Sequence, residues 1–168
     1  MFYYAGIGSR KTPEVILKRF ENIASLLAQK GGILRSGAAD GADNAFEKGC
    51  DKEPNSKKEI YLPWKGFNGS ESKLYTITPE AMLIAQKFHP YWDNLSNGAK
   101  KLHARNSYQV LGYDLKTLSN FVVCWTEGGK ITGGTGQALR IAKAYSIPVF
   151  NYGEDGAEEK LLEFIESI

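Results

Sequence analysis

Three glycine-rich turns constrain this chain more than any other feature. They are Gly6-Ile7-Gly8-Ser9-Arg10, Ser36-Gly37-Ala38-Ala39-Asp40-Gly41-Ala42-Asp43 and Thr132-Gly133-Gly134-Thr135-Gly136. Each follows a short apolar run that reads as a buried strand, and each leads into a segment with helical periodicity. Strands that alternate with helices require crossover connections, and crossovers yield a parallel sheet covered by helices on both faces. The expectation is therefore a three-layer α/β domain with all three turns on the C-terminal edge of one sheet, where ligands of open α/β sheets bind.

The rest of the chain fits that scheme. Residues 2–7 form a first strand, and Ile16, Phe20, Ile23 and Leu27 line one face of a first helix, with Thr12 as candidate N-cap and Pro13 at its start. Gly31-Gly32 ends that helix, and Ile33-Leu34-Arg35 is a second strand. A second helix is expected from Ala38 to Gly49 and a third strand over 59–62. Residues 64–116 are too long for a plain crossover and read as a helical insertion or cap, with helices over Pro79–Phe88 and from about Lys100 to Gly112. Phe121-Val122-Val123-Cys124-Trp125 is the clearest buried strand. A helix through Ala138, Ile141, Ala142 and Tyr145, a last strand over 147–150 and an acidic helix over 157–168 complete the chain. No internal repeat appears, and one domain over residues 1–168 is the simplest account.

Composition narrows the function classes. With 42% hydrophobic and 24% charged residues the chain is globular, and a net charge of +2 does not by itself imply a nucleic-acid partner. Nucleic-acid binding, if present, is expected to be weak and salt-sensitive. Cys50 and Cys124 form no CxxC pair, and with His89 and His103 as the two imidazoles there is no zinc-ligand spacing, so neither metal nor cofactor is expected. Nothing resembles a signal peptide, and no run approaches the ~20 apolar residues of a membrane span. The expectation is a soluble cytoplasmic protein with no membrane partner.

Glycines let backbone approach a phosphate, and free N–H groups at a helix N-terminus attract its charge. This makes Gly8, Ser9, Arg10, Ser36, Gly37, Gly133, Gly134 and Thr135 candidate ligand contacts, with Arg10 as the cation. The alternative is glycine used for tight geometry alone. None of the turns is a Walker A sequence or a complete GxGxxG, so ordinary nicotinamide hydride transfer has little support. Asp40 is expected to touch a ligand, whereas Asp43 is expected to complement the helix dipole. Trp125 and Thr126, just after the clearest strand, are candidate pocket residues. His103, Arg105, Asn106 and Gln109 cluster at helical spacing, and Arg105 is the candidate that reaches a ligand from the insertion; a solvated or subunit-facing helix is the plainer alternative. Phe88, Tyr91, Trp92 and Tyr108 could stack on a base but are expected to pack the insertion. Both cysteines read as inert.

Gly8-Ser9-Arg10 after the first strand, Ser36 to Asp43 after the second and Gly133-Gly134-Thr135 opening a late helix together resemble the SLOG superfamily. That superfamily unites DNA-processing protein A and the "lonely guy" phosphoribohydrolases on one Rossmann-like fold. The stretches IYLPW (60–64), HARNSYQVLG (103–112) and FVVCWT (121–126) resemble a small phage and bacterial DNA-processing-A-like subgroup. The resemblance covers most of residues 1–152 and implies sheet order 3-2-1-4-5, with Gly8 and Gly134 flanking one crevice. It also implies a homo-oligomer. In the phosphoribohydrolases a PGGxGTxxE signature supplies a catalytic Glu; aligned on Gly134-Thr135, that position is Ala138, with Gln137 beside it. The leading expectation is a protein that binds a nucleotide or nucleotide-derived phosphate ligand, for example a cyclic or NAD-derived signal. A nucleotide N-glycosidic or phosphoryl hydrolase is one alternative. A single-stranded DNA-binding recombination mediator is another.

Overall fold

A computed structural model describes residues 1–168. Five strands, β1 (Phe2–Gly6), β2 (Gly32–Ser36), β3 (Lys57–Ile60), β4 (Phe121–Cys124) and β5 (Val149–Asn151), form one all-parallel sheet in the order β3-β2-β1-β4-β5. The order reverses between β1 and β4, which pair with Tyr4 opposite Phe121 and Gly6 opposite Val123. Six helices connect and cover the strands: α1 (Glu14–Gln29), α2 (Ala42–Asp51), α3 (Pro79–Phe88), α4 (Asn97–Leu111), α5 (Gly133–Ala144) and α6 (Ala157–Glu166). None is long and apolar enough to cross a membrane.

Strand side chains alternate between the two faces, and the core divides accordingly. Tyr4, Leu34, Phe121 and Val123 meet Phe20, Ile23 and Leu27 of α1, Phe46 of α2, and Leu161 and Ile165 of α6. Their neighbours Ala5, Val122 and Cys124 face the other way, onto Val110 and Leu111 of α4 and Ala138, Ile141 and Ala142 of α5. A third cluster of Tyr61, Ala81, Ala85, Ala104 and Tyr108 joins α3 to α4. The helices between β3 and β4 therefore lie against the sheet and the neighbouring helices.

Three local expectations are corrected. The second helix starts at Ala42, because Ala38 (φ 58°) and Gly41 (φ 83°) adopt left-handed conformations that a helix cannot contain. Thr12 does not cap α1: its hydroxyl donates to the Ser9 carbonyl at 2.6 Å and closes the first glycine turn instead. The third strand begins at Lys57, two residues earlier than the apolar pattern indicates, since it is an edge strand with charged residues on its open side.

Arg35 is 2% exposed in the middle of β2. Its Nε pairs with Glu59 at 2.9 Å, its Nη1 donates to the Thr117 carbonyl at 2.6 Å and to Ser119 at 3.2 Å, and its guanidinium lies 3.9 Å from the centre of the Tyr3 ring. This one side chain fastens the loop before β4 to two strands. Removing one partner of such a set strands the others, so Arg35→Ala is expected to cost about 3 kcal/mol, or ~6–12 °C in melting temperature. A thermal melt within ~2 °C of wild type would show that the network is dispensable.

Candidate functional site

Beyond β1 and β4 the two chains continue side by side, with Ile7 N–H donating to the Val123 carbonyl at 3.0 Å and Ser9 N–H to that of Trp125 at 3.4 Å. This extension opens a crevice of about 500 Å³ at the point where the strand order reverses. Its walls include Gly8, Ser9, Arg10 and Lys11 from the first turn, Asp40 and Asp43 from the second, Gly134 and Thr135 from the start of α5, and Arg105, Asn106 and Gln109 from α4. Gly8 is required there, since a Cβ on it would lie 2.6 Å from that of Ala42. Gly37 is crowded from α4 by the ends of two side chains: a Cβ would sit 2.4 Å from Gln109 Nε2 and 2.6 Å from Arg105 Nη1.

From Ala104 to Leu111 every residue of α4 is buried, so its polar residues are neither solvated nor left facing a subunit partner. Arg105 Nη1 donates to the carbonyls of Gly37 (2.5 Å) and Tyr61 (3.1 Å), and its Nε donates to Asn106 Oδ1 at 3.0 Å. Asn106 Nδ2 in turn donates to the Gly134 carbonyl at 3.1 Å. Two adjacent side chains thus hold the ends of β2 and β3 and the first turn of α5 in fixed relation. Gln109, 2% exposed, and Thr135, 9% exposed, line the crevice with side chains that make no hydrogen bond to the rest of the chain.

Of the residues singled out from sequence, Gly8, Ser9, Arg10, Asp40, Arg105, Gly134 and Thr135 come together in the crevice. The remaining candidate ligand contacts do not line it, whereas Asp43, His103, Asn106 and Gln109 do. Ser36 is buried and donates to the Gly6 carbonyl at 2.6 Å, and Gly37 stands behind Arg105. Trp125 is half-buried against the first core cluster. Thr126 is locked to Asn151, donating its N–H to Oδ1 at 3.1 Å and accepting from Nδ2 at 2.7 Å. Gly133 opens α5 at φ 66° on the exposed surface. Arg10 does not pair with Asp40; its guanidinium is exposed at the rim and free of ion pairs. Sequence reading missed Lys11 and Phe67, the latter in a turn between Gly66 and Gly69 with its ring edge-on to Trp64 at 5.4 Å. An aromatic residue between two glycines in an otherwise aperiodic stretch was the available signal.

Burial makes both cysteines inert by raising their thiol pKa values. It also sets the charge of the crevice. Asp43, 4% exposed, accepts the Ala39 N–H at 3.2 Å; desolvation raises its pKa to about 6 even though Arg105 opposes the shift. Desolvation lowers His103 to about 4, helped by His89, Arg140 and Arg105, so this imidazole is neutral at physiological pH. The two act in opposite senses. Asp43 holds its proton more tightly folded than unfolded, so its contribution to stability falls as pH rises from about 4 to 6. His103 holds its proton less tightly folded, so its contribution rises over the same interval and up to its ordinary value. Asp43→Asn is therefore expected to remove a loss of about 2–3 kcal/mol between pH 4 and 6, measured as the wild-type minus variant difference in urea unfolding. An unchanged pH slope would assign Asp43 no such burden.

No protein-family model matches the chain, and no curated protein matches it in sequence. Among solved structures the chain is similar to DNA processing protein A from Helicobacter pylori, at 20% identity and a TM-score of 0.59, over 99% of this chain and 79% of that one. That structure concerns the mode in which the H. pylori protein binds single-stranded DNA. The chain has the Rossmann-like fold of DNA processing protein A.

Proposed function

We propose that this chain binds single-stranded nucleic acid, with a backbone phosphate held between the first glycine turn and the N-terminus of α5. The observation that carries this reading is the company kept in one crevice. Exposed, unpaired Arg10 and Lys11 share it with the uncommitted hydroxyl of Thr135 at a helix start and with the ring of Phe67. Cations and helix N–H groups suit a phosphate, and an aromatic face suits a base, a pairing typical of single-strand sites. The fold shared with a protein that binds single-stranded DNA adds support.

The same crevice suits a free nucleotide in volume, at about 500 Å³, and this is the second reading. Hydrolysis of the kind found in the phosphoribohydrolases is disfavoured, because α5 carries no acidic residue and Ala138 occupies the wall where the signature has Glu. Assembly with a second copy, which the resemblance implies, belongs to the same proposal.

Affinity should be modest. Of the 21 basic residues only Arg10, Lys11 and the buried Arg105 line the crevice, so few cations stand where a phosphate would sit. With Arg10 and Lys11 each releasing one counterion, log affinity against log salt should have a slope of about −1.4. In fluorescence anisotropy with a labelled oligonucleotide, Arg10→Ala and Thr135→Ala are each expected to weaken binding by roughly ten- to a hundred-fold, with melting temperature unchanged. Equal affinity with a lowered melting temperature would make both residues scaffold and remove the phosphate site.

A further inference from the structure

Within the crevice the polar groups divide into two kinds. Arg105 and Asn106 are spent on the carbonyls of Gly37, Tyr61 and Gly134 and on each other. Gln109, one turn beyond Arg105 on α4, is equally buried and has no partner at all. A carboxamide that lines the crevice with neither its donor nor its acceptor spent within the chain is free for use by whatever enters. Its chemistry indicates the use. A phosphate offers only acceptors and would satisfy the Nε2 donor while facing the Oε1 acceptor with negative charge. The edge of a nucleobase presents a donor beside an acceptor, the pattern a carboxamide matches.

The surroundings sharpen the choice. The phosphate-binding groups, Gly8 to Lys11 and Thr135, belong to the β1 turn and α5, whereas Gln109 shares α4 with neutral His103. Asp43, on α2, adds a carboxylate to the crevice wall. Above its pKa that group repels a phosphate and accepts from an amine. We propose that the crevice takes one inserted nucleobase whose edge is read by Gln109, and that it favours the bases with an exocyclic amine beside an unprotonated ring nitrogen, adenine and cytosine, over thymine. Thymine also offers a donor, N3–H, beside an acceptor, but that donor is flanked by two carbonyl oxygens, one of which is left facing the Asp43 carboxylate, where adenine or cytosine would present an amine. This rests on the nucleic-acid reading above and adds base selectivity to it. Stacking and backbone contacts alone would bind all bases nearly alike.

The test uses the whole chain at pH 8, where Asp43 is ionised, with fluorescein-labelled dA, dC and dT hexamers and the unlabelled mononucleotides dAMP, dCMP and dTMP as competitors. Wild type is expected to bind the dA and dC hexamers about ten-fold or more tightly than dT. Gln109→Leu, close to glutamine in volume, should bring all three to within about two-fold. Because the Gln109 carboxamide makes no hydrogen bond within the chain, the free variant should melt close to wild type, which separates a reading residue from a structural one. Equal binding of all three hexamers by wild type, or the same ranking in Gln109→Leu, would overturn the base subsite while leaving strand binding intact. Failure of every hexamer with ranked binding of the mononucleotides would overturn the strand and keep the base subsite, with a free nucleotide as its source. Failure of hexamers and mononucleotides alike would overturn both.

Discussion

The guanidinium of Arg105 and the carboxamide beside it tie together parts of the chain that the sheet leaves independent. Parallel strands end with free carbonyls, and three loops leave the same edge in different directions. By taking the carbonyls of Gly37 and Tyr61, and through Asn106 that of Gly134, α4 sets the distance between those loops. A charge held at 5% exposure is costly, and desolvation lowers its pKa, but each of these bonds is charge-assisted or continues a charge-assisted chain. The result is a crevice whose shape is fixed before anything enters it. A ligand then meets little ordering cost in the protein, which favours a site with few charges.

That economy of charge is visible across the molecule. Most of the 21 basic residues serve the scaffold or the outer surface, as the lysines around Glu21 do on α1 and α2. Electrostatic attraction over long range is correspondingly small, and recognition falls to groups within contact distance. Desolvation keeps the His103 imidazole neutral and raises the Asp43 carboxyl to about 6 within the crevice, while the free cations Arg10 and Lys11 stand exposed at its edge. Such a gradient orients an amphiphilic unit with one charged end and one flat polar end.

The sequence reveals the sheet and much of the crevice because both depend on local rules. Gly8 and Gly134 are legible because strand-turn-helix punctuation is local, and the parallel order then brings them together. Trp125, Thr126 and Ser36 were not separable from true lining residues, since each also ends a strand. Whether such a side chain points at the crevice or the core depends on partners far away in sequence, such as Asn151 for Thr126. The polar stripe of α4 reads as wet for the same reason. Periodicity reports polarity, and only the tertiary arrangement shows that this stripe faces carbonyls. Phe67 lies in a turn without period, where the two flanking glycines are the one signal that marks it.

The close approach at Gly37 has a consequence for how this molecule can change over generations. A methyl group there would overlap the side chains of Gln109 and Arg105, more than 60 residues away along the chain, by well over half an ångström. Position 37 can therefore acquire a side chain only where the ends of Gln109 and Arg105 give way together, and moving Arg105 aside would disturb its bond to the Gly37 carbonyl. A change at 37 is thus coupled to two distant positions, while the surfaces around the edge are free to diverge.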